Sequence, residues 1–244
     1  MQCLKKRLKE FKLSGIYNSL NERLTYANEN QIGYQELIEL LLEDEESNRR
    51  NNSYKKRYSK AKLPTAKTLE DFDFMFQPCI DKKIINDLAT CSFIRENRNV
   101  VFVGNPGTGK THLSIALGIK ALMKGFKVLY TPVSEMLNNL NMSKADNSYY
   151  QKIDYYLKPD LLIMDELGFK KLPNYSADDF FEIISKRYEK GSIIITTNKP
   201  FEAWQDIFQD GILAQAIMDR VIHHSTVIKI KGQSYRTKNI KKGG

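Results

Sequence analysis

The sequence predicts an α/β protein: a parallel five-stranded sheet with helices on both faces, preceded by a small all-helical N-terminal module. Three observations carry that prediction. A glycine-rich loop, Gly104-Asn105-Pro106-Gly107-Thr108-Gly109-Lys110-Thr111, joins a strand-like run to a helix-like run. From Thr68 onward short apolar runs alternate with helical periodicity, which is how a sheet with crossover helices is written. Ahead of that point apolar residues recur at helical spacing alone. The boundary is placed at residue 67, with a helical module over 1–67 ending in a basic arm and an α/β domain over 68–244.

In the module, Leu4, Leu8 and Phe11 share a face, as do Ile16, Leu20 and Leu24, and then Leu37, Leu40 and Leu41. Gly15 and Gly33 punctuate three helices, and Pro64 stops the third. In the α/β domain the strand-like runs are 99–103, 127–131, 161–164, 193–196 and 226–230. The helix after the first strand starts at His112 and ends near Gly125, a residue suited to a left-handed helix end. Helical runs over 133–140 and 153–157 follow. Ser176 with Asp179 has the spacing of a capping box and opens a further helix. Stretches 201–208 and 212–222 complete the alternation. The run 161–164 has no polar position, so it is expected to be buried on both faces.

Composition narrows the setting. The 244 residues suffice for one large domain with an appendage. Cys3, Cys79 and Cys91 are odd in number and far apart, which argues against a disulfide framework or zinc knuckle and for a reducing cytoplasm. No apolar stretch approaches the roughly 20 residues of a membrane span, and the basic, amphipathic N-terminus lacks the apolar core of a signal peptide. A cytoplasmic protein with no membrane association is expected.

The net charge of +9 is unevenly placed. Residues 47–67 carry eight basic and no acidic side chains, and residues 229–244 carry six and none, around a nearly neutral centre. The first stretch holds Arg49, Arg50, Lys55, Lys56, Arg57, Lys60 and Lys62, interleaved with Tyr54 and Tyr58. A solvated linker is one reading. The absence of counter-charges over some twenty residues favours the other, contact with the phosphate backbone of double-stranded DNA.

The loop matches G-x-x-x-x-G-K-[ST], a backbone cradle for phosphates at a helix N-terminus. Residues Gly104 to His112 are therefore the nucleotide-binding candidates. Lys110 is expected to reach the β- and γ-phosphates and the Thr111 hydroxyl to hold Mg²⁺. His112 is expected to pack in the helix beside the loop. In parallel sheets ligands sit at the carboxyl ends of strands. The third strand finishes with Asp165 and Glu166, one suited to hold Mg²⁺ and the other to orient and deprotonate an attacking water. Asn198, closing Thr196-Thr197-Asn198 after the fourth strand, can reach the γ-phosphate or that water. Arg220 lies far from the loop in sequence and suits a finger offered to a neighbouring subunit's site, the alternative being a surface pair with Asp219. Arg187 is a second finger candidate. His223 and His224, being adjacent, are expected not to share a helical face as metal ligands.

Those motifs resemble the AAA+ ATPases of the DnaA/DnaC clade and, more narrowly, the IstB-type ATPases of insertion sequences. The narrower likeness rests on Leu69-Glu70-Asp71-Phe72-Asp73-Phe74, Arg187-Tyr188-Glu189-Lys190-Gly191-Ser192, Met218-Asp219-Arg220 with His223-His224, and Gly232-Gln233-Ser234-Tyr235-Arg236. The resemblance implies ATP as the nucleotide, with Phe72 and its neighbours at the base, and a homo-oligomer wound on DNA. It also implies a transposase of the same element as partner, and little or no C-terminal helical lid, leaving open whether Arg236 acts as a second sensor. Gly33 stands where a Ser-like cap is usual, which predicts a looser start to the third helix. The alternatives are a DnaC-like replicative helicase loader, a small-molecule kinase, and a nucleotide-gated scaffold that barely hydrolyses ATP. A kinase has no use for two segregated cationic stretches.

Overall fold

The computed structural model describes residues 2–169, 176–208 and 210–237. The chain divides into two compact units, Met1–Lys56 and Arg57–Gly244.

The N-terminal unit is helical, built from α1 (Gln2–Glu10), α2 (Ser14–Asn30) and the start of α3 (Tyr34–Ala61). Left-handed residues close the first two helices, Lys12 at φ 57° and Gln31 at φ 52°. Gly15 lies inside α2 and does not separate helices as its sequence position predicts. Its role is close approach: a Cβ there would sit 2.5 Å from the Glu45 Cα and 2.7 Å from the Asp44 carbonyl oxygen. Glu45 occupies the space so left and accepts the Gly15 and Ile16 N–H groups at 2.6 and 3.2 Å. Gly33 directly precedes α3, and its carbonyl accepts the Leu37 N–H. Apolar burial in this unit is sparse. Leu8 and Leu20 are buried, whereas Phe11 and Tyr34 are 71% and 91% exposed.

α3 ends at Ala61, where Lys62 turns left-handed at φ 54°, just ahead of Leu63, the residue that Pro64 disfavours from helical geometry. In the second unit two short helices that periodicity does not single out, α4 (Lys82–Ala89) and α5 (Ser92–Arg95), lead into the sheet. Asp81 caps α4 by accepting the Lys83 N–H. The strands are β1 (Asn99–Gly104), β2 (Val128–Pro132), β3 (Leu161–Leu167), β4 (Ser192–Thr197) and β5 (Ser225–Ile230). They pair in parallel in the order β2-β3-β4-β1-β5. The expected five-stranded parallel sheet is the sheet observed.

Helix α6 (Lys110–Met123) covers one face so closely that a Cβ on Gly118 would meet the Ile163 Cδ1 at 2.8 Å. Gly125, at φ 97°, closes it as expected. The other face packs against α7 (Val133–Ala145), α8 (Tyr149–Leu157), α9 (Ser176–Arg187), α10 (Trp204–Phe208) and α11 (Gly211–Ile222). β3 runs three residues beyond its apolar run, through Asp165 and Glu166 to Leu167, with a register shift against β4 between Met164 and Leu167. Its first four residues, Leu161 to Met164, are fully buried.

The capping box does not form. Asp179 accepts instead from Lys144 and from the Tyr149 hydroxyl at 2.8 Å, while the Ser176 hydroxyl has no hydrogen-bond partner among the described residues. A buried carboxylate gains more from a cation and a phenol than from one backbone N–H.

Candidate functional site

The phosphate loop connects β1 to α6 at the carboxyl edge of the sheet. Two of its glycines are obligatory on conformational grounds, Gly107 at φ 79° and Gly109 at φ 97°. Both are also crowded: a side chain on Gly107 would run into Ser234, and one on Gly109 would lie 2.5 Å from the Phe72 ring. The Gly107 carbonyl accepts the Tyr235 N–H at 2.9 Å. The loop thus forms one wall of a cleft whose other walls include Lys67, Phe72, Gln77, Tyr235 and Arg236. His112 fixes the Phe72 wall, its Nε2 lying 2.7 Å from the Thr68 carbonyl oxygen and its ring edge-on to Phe72.

Lys110 donates to the carbonyls of Gly104 and Asn105 at 2.7 and 2.9 Å. Burial pushes its ammonium below the ordinary lysine value, with the charge of Asp165 acting the other way. Thr111 is brought against Asp165, its hydroxyl 3.0 Å from both carboxylate oxygens. Asp165 is 2% exposed and its described partners are hydroxyls alone. Thr196 of β4 donates to Oδ1, and Tyr130 of β2 donates to Oδ2 at 2.6 Å. Burial and the Asp165 carboxylate push the Tyr130 phenol well above its usual value, so it remains a donor.

Glu166 adopts φ 64° and stands exposed beside this buried cluster. Its N–H donates to the Thr196 hydroxyl at 2.9 Å, which ties the bulge in β3 to β4. β4 lies between β3 and β1, so Asn198, just beyond its end, follows the strand that neighbours both the acid pair and the loop. The Asn198 Oδ1 is buried without a hydrogen-bond partner among the described residues.

These features fit a triphosphate with a divalent cation. The cradle admits no side chain at two glycines, the carboxylate and hydroxyl oxygens of Asp165 and Thr111 are a hard donor set suited to Mg²⁺, and an amide oxygen is left unanswered nearby in the fold. Thr111 and Asp165 are the residues that would hold Mg²⁺, and Lys110 with the loop backbone would hold phosphates.

A family model described as IstB-like ATP binding protein matches residues 6–243. The chain belongs to that family. A relative from insertion sequence IS21 of Pseudomonas aeruginosa is 41% identical over all 244 residues and 91% of its own length. Another, from insertion sequence IS5376 of Geobacillus stearothermophilus, is 39% identical over 86% of this chain and 84% of its own. Each is named as an inferred ATP-binding protein of its element. Among solved structures the DnaC helicase loader is similar at a TM-score of 0.55 and 22% identity, over 72% of this chain and 99% of that one. DnaI reaches 0.58 at 22% identity over 68% and 91%. The AMPPCP-bound DnaA of Aquifex aeolicus reaches 0.57 at 22% over 74% and 55%. Those three share the AAA+ fold with this IstB-like chain.

Other predicted residues lie elsewhere. Arg220 lies on α11, where it donates to the Ala216 carbonyl of its own helix at 3.0 Å and stacks 4.9 Å from the centre of the Phe181 ring. None of its described contacts is with the loop or with Asp219. Arg187 is no finger. It is 2% exposed and gives its guanidinium to the carbonyls of Tyr156, Leu157, Pro159, Asp160 and Ser192, and burial pulls it down to about 10. The sequence offered no sign that this arginine of α9 would be consumed by a turn.

The basic arm is not free of counter-charge. Arg49 pairs with Glu45 and Arg50 with Glu46, at 2.6 and 2.7 Å, because the helix sets each acid one turn ahead. Lys55 and Lys56 are exposed. Arg57 donates to the Leu122 carbonyl, Lys60 lines a groove with Lys127 and Lys158, and Lys62 lies 5.5 Å from the centre of the Tyr155 ring. In the basic tail Lys238, Lys241 and Lys242 fall outside the described residues. His223 and His224 share no helical face, since α11 ends at Ile222 ahead of both; beyond the helix their ring centroids are nevertheless 4.0 Å apart and His224 lies 3.5 Å from Glu189. All three are exposed. No helix among the described residues is long and apolar enough to cross a membrane.

Tyr130 and Thr196 are what sequence reasoning missed. A polar residue at a strand's carboxyl end beside the strand bearing the acids is the signal that could have found both.

Proposed function

We propose that the chain is an ATPase that, when ATP is bound, assembles on double-stranded DNA as a homo-oligomer larger than a dimer, bends the duplex and assists the transposase of its own element in target selection. The observation that carries the reading is the contact of Thr111 with a buried carboxylate whose described partners are all hydroxyls. ATP with Mg²⁺ supplies a phosphoanhydride bond and the shielding of its charge. Lys110 and the loop backbone bind the β- and γ-phosphates, while Thr111 and Asp165 hold the cation. Glu166, exposed at the strand end, orients and deprotonates the attacking water, and Asn198 fixes that water from the adjacent strand. Arg220, whose contacts among the described residues are with its own helix and Phe181, serves the site of a neighbouring copy. Residues 1–67 form the module that meets DNA and neighbouring protomers through Arg49 to Lys62, and residues 68–244 form the ATPase domain with little or no lid. The names of the insertion-sequence relatives support the setting.

The test is particle size on duplex DNA with ATP, with ADP and without nucleotide, for the wild type and Glu166→Gln. Large particles with ATP alone are expected, and in Glu166→Gln they persist while phosphate release stops. Hydrolysis at the wild-type rate in that variant removes Glu166 from the mechanism. Equal particle size in all three nucleotide conditions ends the assembly reading. DNA affinity falls steeply from low to physiological salt if the arm contacts phosphates.

A further inference from the structure

The carboxylate of Asp165 is held from three separate elements, and the proposed reaction uses only one of them. Thr111 comes from α6, Tyr130 from β2 and Thr196 from β4. A carboxyl group on a single-bonded stem swivels easily about its last torsion, so its orientation in the site depends on what grips its two oxygens. Thr196 grips Oδ1 and also accepts the Glu166 N–H. Tyr130 grips Oδ2 at 2.6 Å, the length of a strong hydroxyl-to-carboxylate bond. The phenol is itself rigidly placed: its residue is 9% exposed, on a strand paired to β3, with Pro132 in register with Asp165.

We propose that Tyr130 is a positioning residue for the cation-holding carboxylate, acting with Thr196 so that Asp165 meets the loop in one fixed orientation. This rests on the reading that Thr111 and Asp165 hold the cation of a bound nucleotide. Tyr130 touches neither nucleotide nor cation in this role; it sets the aim of the group that does. Thr196 adds a link from the same carboxylate to the backbone of Glu166, so one hydroxyl locates both acids.

The experiment uses the full chain and a non-hydrolysable ATP analogue carrying a fluorophore. Its binding is titrated in EDTA and across a Mg²⁺ series for the wild type, Tyr130→Phe, Thr196→Val and Thr196→Ser. Loss of a hydrogen-bonded support behind a metal ligand weakens metal affinity by about ten-fold or more. In Tyr130→Phe and Thr196→Val the Mg²⁺ concentration giving half-maximal binding is therefore expected to rise about ten-fold, with binding in EDTA unchanged. Thr196→Ser, which keeps the hydroxyl, retains the wild-type value. In an Asp165→Asn background, adding Tyr130→Phe produces no further shift. A purely structural phenol would lower the thermal midpoint and leave the Mg²⁺ dependence where it was, and that result overturns the proposal. If Tyr130→Phe does not fold, equal Mg²⁺ dependence in Thr196→Val and Thr196→Ser overturns it. A wild-type chain that binds the analogue with no Mg²⁺ dependence, or not at all, takes down the nucleotide-site reading and this inference with it.

Discussion

Glu45 in the helical unit and Asp165 in the α/β unit are both nearly withdrawn from solvent, 5% and 2% exposed, yet their surroundings differ in kind. Glu45 is answered by the backbone N–H groups of Gly15 and Ile16 at the start of α2 and by the guanidinium of Arg49. Burial alone pushes its carboxyl up, but Arg49 and the two N–H groups outweigh that and leave it below the usual glutamate value. Its charge is neutralised where it stands. Asp165 has three hydroxyls and, among its described hydrogen-bond partners, no cation. Hydroxyls orient a carboxylate and solvate it, but they bring no net positive charge. A buried charge is tolerated when paired or when it coordinates a metal. The first acid closes a structure; the second calls for a ligand.

Lys110→Ala should break this contrast most severely. Removing the loop's ammonium costs about 3 kcal/mol of charge-assisted contact, a loss of nucleotide affinity of roughly 100-fold, measured by equilibrium titration, and the ATP-dependent particles should vanish with it. Next in size is Arg187→Met. Leaving five carbonyls, two of them in buried hydrogen bonds and three in part-buried ones, without this donor should cost about 3 kcal/mol. The fully buried Trp204, the single tryptophan of the chain, reports it as a lower denaturation midpoint. A midpoint equal to the wild type's would show that those carbonyls find other partners.

Two smaller effects sharpen the picture in the helical unit. Gly15→Ala forces a methyl against the backbone of Glu45 and should cost about 1–3 kcal/mol, read as faster amide exchange in α2 and the first half of α3. Unchanged exchange rates would mean the helices separate without penalty. The smallest is acid. Asp44, held by Arg23 through two hydrogen bonds, lies at about 2, below its ordinary 3.8, and Glu45 is also lowered from 4.5. Both values are depressed in the folded chain, so the stability they lend is complete above about pH 4.5 and is lost as pH falls toward 2. The Arg23–Asp44 pair is partly exposed and contributes about 1 kcal/mol at most. Helicity followed by circular dichroism should decline over that window, and a flat response down to pH 2 would remove these acids from the unit's support.

Much of the α/β unit was legible in the chain itself. All five strands lie within a few residues of their apolar runs, and the loop-to-helix junction and Gly125 closure fall where predicted. Asp165 and Glu166 could be placed at a strand's carboxyl end because the run Leu161 to Met164 has only one way to be buried. The misreadings share a cause. Gly15 was taken as a break because glycine often is one, when here it makes room for another helix's backbone. Arg187 was taken as free because its consumers, the carbonyls of Tyr156 to Asp160 and of Ser192, lie in turns that periodicity does not describe. Ser176 and Asp179 had capping-box spacing, but Tyr149 and Lys144 made a stronger claim on the acid.

By itself, then, the sequence determined the phosphate loop, the buried strand run that leads into the two acids and the order of strand and helix. Each depends on neighbours within a few residues and on a period of two or 3.6. Only the tertiary structure decided which hydroxyls surround Asp165, because Thr111, Tyr130 and Thr196 lie 54, 35 and 31 positions away. It decided equally that Arg220 rests on Phe181. Contacts at such separations are set by parallel strand order and register, which local pattern leaves free.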